Sequence, residues 1–473
     1  MSGKHPMHMM SLVEVAQQIK SGEITSTELT QYILARISAC DGYYKAYAQV
    51  IEQAAIKSAE LADEEISAGN YRGFLHGIPI AVKDLFHMEG TLTEAGSKLF
   101  QDQSSQKNSA VVESLLRAGA VILGKLNMTE FALSGYHPEK DVPINPWNEK
   151  FWSGVSSSGS AVAAAAGIAY ATIGTDTGGS IRFPACSNGV VGIKPTFGSV
   201  SCYGCIPLAQ TLDTIGPLAR RIEDAAIVLQ TISGLDNRDP LSTDNGGVNY
   251  TATLKNGVRG LRIGIDEAYI AAEGVHPEVS ESVRNVLRVF ESKGAEIINV
   301  DMAELGSMSE VWGGIVAFEA VENHKKTYPI CAEEYGPVFK DLLDAGATIT
   351  NEAYEEMQKV VKQAREILAT ALNGIDMVIC PASPLPTGTT DELSAQAILP
   401  AELVSFFMMY AAPFNYTGSP TVTMPCGYDS ESNMPLGVQL VGHHHEEGKL
   451  IQAAYAYEQH TDWHKKHPTE KID

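Results

Sequence analysis

Basic residues are in deficit in this chain: 34 Lys and Arg stand against 57 Asp and Glu, a net charge of -23 over 473 residues. A surface of that sign repels phosphate backbones and anionic lipid, so neither nucleic acid nor a membrane is expected as a partner. Long apolar runs are missing as well. Nowhere do roughly eighteen apolar residues follow one another, so no spanning helix is expected. Met1 to Met10 is polar and rich in His and Met rather than a basic start followed by an apolar core, which predicts no cleavable signal and a cytoplasmic location. Cysteine is sparse and odd in number, with seven residues scattered from Cys40 to Cys426, which suits a reducing compartment. Cys202 and Cys205 have the Cys-x-x-Cys spacing of redox and zinc sites, but no second pair accompanies them, and the spacing reads as coincidence. The run His443-His444-His445 reads as an exposed turn, because adjacent imidazoles cannot all face one ion and Glu446 and Glu447 follow directly.

Hydrophobic residues, by contrast, make up 44% of the chain and charged ones 19%, enough for a sizeable core and too apolar for disorder. The N-terminal arm from Ser11 to Ser38 predicts two short helices. Leu12, Val15, Ala16 and Ile19 keep helical spacing, Gly22 marks a stop, and Thr25 with Glu28 makes a capping box. A further helix is expected over Ile56 to Ala68. Gly77 to Asp84 reads as a buried strand, Ser109 to Ala118 as a helix and Ala120 to Leu123 as the next strand. The same grammar returns in Leu261 to Ile265, the helix opened by Pro277, and Ile297 to Val300, so a sheet flanked by helices is expected. Asp236 to Gly257, rich in Asn, Asp and Gly, reads as a surface excursion. Met302 to Ala371 is mostly helical, and strands resume at Met377 to Cys380, Thr421 to Met424 and Gly437 to Val441.

The stretch with chemistry in it runs from Trp152 to Thr196. Two serine-bearing, glycine-rich turns, Ser153 to Ser160 and Gly174 to Ser180, flank an alanine-rich helical segment whose small side chains permit close backbone approach. Ser180 follows Gly178 and Gly179, so the N–H groups from Thr177 to Ser180 can form an anion-binding concavity of the kind that stabilises an oxyanion. A serine is a weak nucleophile without a base. Lys83, at the end of an apolar strand, is the candidate: an ammonium removed from water gives up its proton more easily. Ser156 would relay the proton between Lys83 and Ser180.

These residues resemble the amidase signature family of serine amidohydrolases. The match includes Ile181 to Ala185 and Val190 to Thr196 and extends from about Leu12 to Trp463. Val155 and Ser158 depart from it, each standing where the family often has Gly. The resemblance implies a Ser-cisSer-Lys triad with Lys83 as base, Ser156 as the bridging serine after a cis peptide bond and Ser180 as nucleophile. It places Thr177, Gly178 and Gly179 at the oxyanion hole. It also implies one α/β domain over residues 1–473, built on a central mixed, mostly parallel sheet covered by helices on both sides. Its parts are a helical arm at about 8–68, a signature core at about 72–235, a variable helical region facing the substrate at about 302–372 and a return to the sheet at 373–465.

The expected activity is hydrolysis of a small amide, apolar or aryl, with carbamates and esters within reach of the same chemistry. No metal or other cofactor is needed. The expected partner is a small-molecule amide, and a homodimer is left open. Trp312, Phe318 and Tyr335, together with the aromatic and thioether cluster from Ser405 to Tyr410 and Phe414 to Gly418, are candidate pocket walls. Two other functions remain open. The family includes the glutaminase subunit of tRNA-dependent amidotransferases, expected to carry an Arg-rich segment where Glu333 to Lys340 has no arginine and the next one is Arg365. The other is a non-catalytic binding protein that keeps only the fold.

Overall fold

The computed structural model describes residues 6–100, 104–393 and 398–469. Eleven strands form one sheet: β1 Tyr47–Val50, β2 Pro79–Lys83, β3 Val121–Leu126, β4 Ala171–Asp176, β5 Val191–Lys194, β6 Thr214–Ala219, β7 Arg262–Ile265, β8 Glu296–Asn299, β9 Met377–Pro381, β10 Thr421–Tyr428 and β11 Pro435–Gly442. Their order across the sheet is β1-β3-β2-β4-β6-β5-β10-β11-β9-β7-β8. Helices flank it, giving a single α/β domain.

The sheet is mixed, but it is not mostly parallel. Only β2 with β3, β2 with β4, β7 with β8 and β7 with β9 run parallel. The other six neighbouring pairs are antiparallel. Parallel pairs arise where a helix carries the chain back, as Ala110–Arg117 does between β2 and β3 and Pro277–Ser292 between β7 and β8. The middle of the sheet, from β4 to β9, is built instead from strands that turn back on one another, which strand-helix-strand spacing at the two ends does not reveal.

The two N-terminal helices, Leu12–Ser21 and Ser26–Tyr44, each start with a capping box, Ser11 with Glu14 and Thr25 with Glu28. The second runs past the expected end at Ser38 because Ile33, Leu34, Ile37, Cys40 and Tyr44 keep one buried stripe. Residues 236–257 are loop apart from a short turn at Leu254–Asn256, yet they bury Tyr250 and Leu254. The alanine-rich helix Ser158–Ala165 is buried along its whole length. Ala161, Ala164 and Ala165 pack with Ile181, Ala185, Val190 and Leu218, so methyl-sized side chains bring the two glycine-rich turns against each other. Among the described residues no helix is long and apolar enough to cross a membrane.

Candidate active site

β2 and β4 are neighbouring parallel strands, and their carboxyl ends deliver side chains to one place, the usual location of a site on such strands. Lys83 closes β2 and is wholly buried. Its Nζ lies 2.6 Å from Ser156 Oγ, 3.0 Å from Ser157 Oγ and 2.9 Å from Thr175 Oγ1. Burial lowers the Lys83 amine from 10.5 to about 7, against the opposing pull of Cys205, Asp213 and Asp176. Such an amine is uncharged in a large fraction of molecules near neutral pH.

The Val155–Ser156 peptide is cis, as the resemblance leads one to expect. The Ser157 N–H donates to the Ser180 carbonyl at 3.2 Å, which joins the two turns through their backbones. The structure thus brings Lys83 onto Ser156 and the Ser156 turn onto the Ser180 turn. Among the described residues, no hydrogen bond connects the Ser156 and Ser180 hydroxyls directly. Ser180 keeps 8% exposure and faces a pocket, whereas Ser156 keeps none.

Asp176 organises the second turn. Its carboxylate accepts the N–H groups of Gly179 at 2.8 Å and Ile181 at 3.1 Å, and pairs with the wholly buried Arg182. Burial alone would raise the Asp176 carboxyl, but the Arg182 guanidinium, with Asn415, holds it well below the usual carboxylate range. Gly179 takes φ +100°, and a Cβ there would come within 2.4 Å of the Phe183 ring, so only glycine fits. The Gly179 N–H, expected at the oxyanion hole, is here engaged by Asp176. Gly178 and Ser180 N–H have no acceptor among the described residues. Thr177 is held at its side chain, whose hydroxyl donates to Asp213 Oδ1 at 2.5 Å. Burial pushes Asp213 up to about 6, and the Thr177 hydrogen bond works against that rise.

The pocket beside Ser180 is apolar, walled by Leu133, Trp152, Phe183, Trp312, Phe407 and Met408, with Val155 also lining it. No charged side chain lines it among the described residues. Trp312, Phe407 and Met408 therefore take up the wall positions expected of them. Phe318 and Tyr335 do not: Phe318 stacks on Tyr354 at 4.3 Å, and Tyr335 packs with Phe131, His324 and Phe339 in the core. Phe414 and Tyr416 are likewise buried core. His443 and His444 bond to different carbonyls, those of Ile375 and Thr417. Cys202 and Cys205 are free thiols in one turn, with the Cys205 N–H donating to the Cys202 carbonyl.

Sequence reasoning missed Ser157 and Thr175 as partners of Lys83, Asp213 as the holder of Thr177, and the Asp176–Arg182 pair. A buried aspartate four residues before the serine, answered by an arginine two after it, was the available signal for the last.

The family model named Amidase matches residues 28–451. The mycobacterial protein that bears the amidase name AmiD, from Mycobacterium tuberculosis (strain ATCC 25618 / H37Rv), is 37% identical over 459 residues, 97% of this chain and 96% of its own. A glutamyl-tRNA(Gln) amidotransferase subunit from Marinomonas sp. (strain MWYL1) is 34% identical over 491 residues, covering 98% of this chain and 99% of its own. Among solved structures, the peptide amidase of Stenotrophomonas maltophilia superposes with a TM-score of 0.81 at 31% identity, over 96% of this chain and 97% of its own. With the family model spanning most of its length, this chain belongs to the amidase signature family of amidohydrolases, enzymes that act on carbon–nitrogen amide bonds.

Proposed function

We propose that the protein hydrolyses small amides with apolar or aryl acyl groups through an acyl-enzyme on Ser180. The observation that carries this reading is the buried Lys83 amine 2.6 Å from Ser156 Oγ, lowered to about 7 by its burial. A neutral amine has two hydrogens and one lone pair, and three hydroxyls surround it. The hydrogens go to Ser157 and Thr175, and the lone pair receives the Ser156 proton. Ser157 supports this assignment, because its own hydroxyl donates to the Thr175 carbonyl at 3.2 Å and so accepts from Lys83.

Ser156 in turn takes the Ser180 proton as Ser180 Oγ attacks the carbonyl carbon. The N–H groups of the Thr177 to Ser180 turn, chiefly Gly178 and Ser180, stabilise the oxyanion. Collapse of the tetrahedral intermediate breaks the C–N bond, and the relay returns a proton to the leaving amine. Water then attacks the acyl-enzyme by the same route and releases the acid. Esters pass through the same intermediate and are expected to react.

Relatives named as glutamyl-tRNA(Gln) amidotransferase subunits favour a second reading, glutamine hydrolysis in the service of a partner protein. The pocket argues against it. No cation among the described residues lines the cleft to hold a glutamine carboxylate, and Arg365 donates instead to the Tyr416 carbonyl at 2.8 Å. Parallel assays of anilides, carbamates, primary amides, esters and glutamine, with Ser180→Ala as blank, separate the two. Turnover of glutamine alone would overturn the proposal.

A further inference from the structure

The peptide plane between Thr177 and Gly178 is held from outside its own turn. Trp312 opens the helix Trp312–His324, and its indole Nε1–H donates to the Thr177 carbonyl at 3.0 Å. In a planar trans peptide the C=O and the following N–H point to opposite sides. A carbonyl fixed on the indole therefore fixes the direction of the Gly178 N–H, which has no acceptor of its own among the described residues. The contact is close on both sides, because a Cβ on Gly178 would lie 2.6 Å from the indole ring. The same ring walls the pocket beside Ser180.

Trp312 is itself braced. In the turn Ser307–Val311 just before it, the Ser309 hydroxyl donates to the Ser405 carbonyl at 2.8 Å, on the helix Ala401–Met408 that brings Phe407 and Met408 to the pocket. One side chain thus touches both the acyl pocket and a carbonyl of the oxyanion turn.

We infer that Trp312 is a positioning residue for catalysis: its N–H aims the Gly178 N–H at the oxyanion, in addition to its service as a pocket wall. The inference rests on the proposed Ser180 chemistry. Loss of the indole N–H misdirects one donor in the transition state and leaves ground-state binding of the acyl group alone.

The test compares Trp312→Phe, and Trp312 replaced by benzothienylalanine, in which sulfur takes the place of the N–H in a ring of the same shape. For an aryl amide, kcat is expected to fall about 10- to 100-fold with KM changed less than threefold, since removal of a whole oxyanion donor costs about 100- to 1,000-fold. An arylboronic acid, which forms a tetrahedral adduct, should lose affinity by the same factor as kcat/KM. In the benzothienylalanine protein, which keeps the ring of the pocket wall, an aryl hydrocarbon competitor without a carbonyl should bind as before. Unchanged kcat in the benzothienylalanine protein would overturn the inference, as would equal losses for the boronic acid and the hydrocarbon, the mark of a wall alone. Fluorophosphonate labelling of the wild type separates the two levels: an unlabelled Ser180 sinks the serine chemistry and the inference with it, whereas a labelled Ser180 with wild-type behaviour in both variants sinks the inference only.

Discussion

Arg182 grips Asp176 through two parallel hydrogen bonds, Nε to Oδ2 at 3.0 Å and Nη2 to Oδ1 at 2.8 Å, with neither side chain exposed to solvent. The pair stands at the base of the turn that presents Ser180, and the same carboxylate holds Gly179 and Ile181. Arg182→Ala would leave a buried carboxylate without its cation, a change that typically costs about 3–5 kcal/mol. Denaturant unfolding should show a loss of that size together with a loss of activity. A midpoint equal to wild type would contradict the structural role given to the pair.

On the proposed mechanism, Lys83 sets the acid limb of the pH profile. With its folded value lowered to about 7 by burial, the amine is protonated below that pH and has no lone pair for Ser156. The ratio kcat/KM should therefore rise with pH through about 7 and then level off. Asp213, pushed up to about 6 by burial, titrates close by, so the profile is measured in Asp213→Asn as well. The limb should survive that substitution. A profile flat down to pH 5 would contradict the base.

The pocket predicts acyl preference. Phe407→Ala removes a partly buried aromatic wall and should lower kcat/KM for aryl amides by about tenfold, as expected for losing part of a side chain's worth of apolar contact. Amides of dicarboxylic acids, whose free carboxylate would enter a pocket without a cation, should react far more slowly than their aryl counterparts. Equal rates for the two series would contradict the apolar reading.

Much of the fold was legible because local signals agreed with one another. Thr25 and Glu28 marked a helix start, Pro277 opened a helix, and the run up to Lys83 read as a buried strand with Lys83 at its end. What could not be read was pairing between distant segments. The antiparallel middle of the sheet depends on β10 and β11 finding β5 and β9, and nothing in their composition names those partners. The same holds for the site. Lys83, Ser156 and Ser180 stood out as residue types in special turns, but the indole of Trp312 reaches Thr177 across 135 positions, and the partnership of Asp213 with Thr177 crosses 36. Trp312, Phe318 and Tyr335 looked equivalent as aromatics on helices, and only packing sends the first to the pocket, Tyr335 to the core and Phe318, half-buried, onto Tyr354.

The chemistry as a whole hangs on Ser180 as the nucleophile, and one experiment addresses it directly. The wild-type protein is treated with a fluorophosphonate, digested and mapped by mass spectrometry, with the rate of inactivation followed from pH 5 to 9. A single adduct on Ser180, formed faster as pH rises through about 7 and absent from Ser180→Ala, is the predicted result. An adduct on another serine, or a Ser180→Ala protein that still turns over amides, would contradict it.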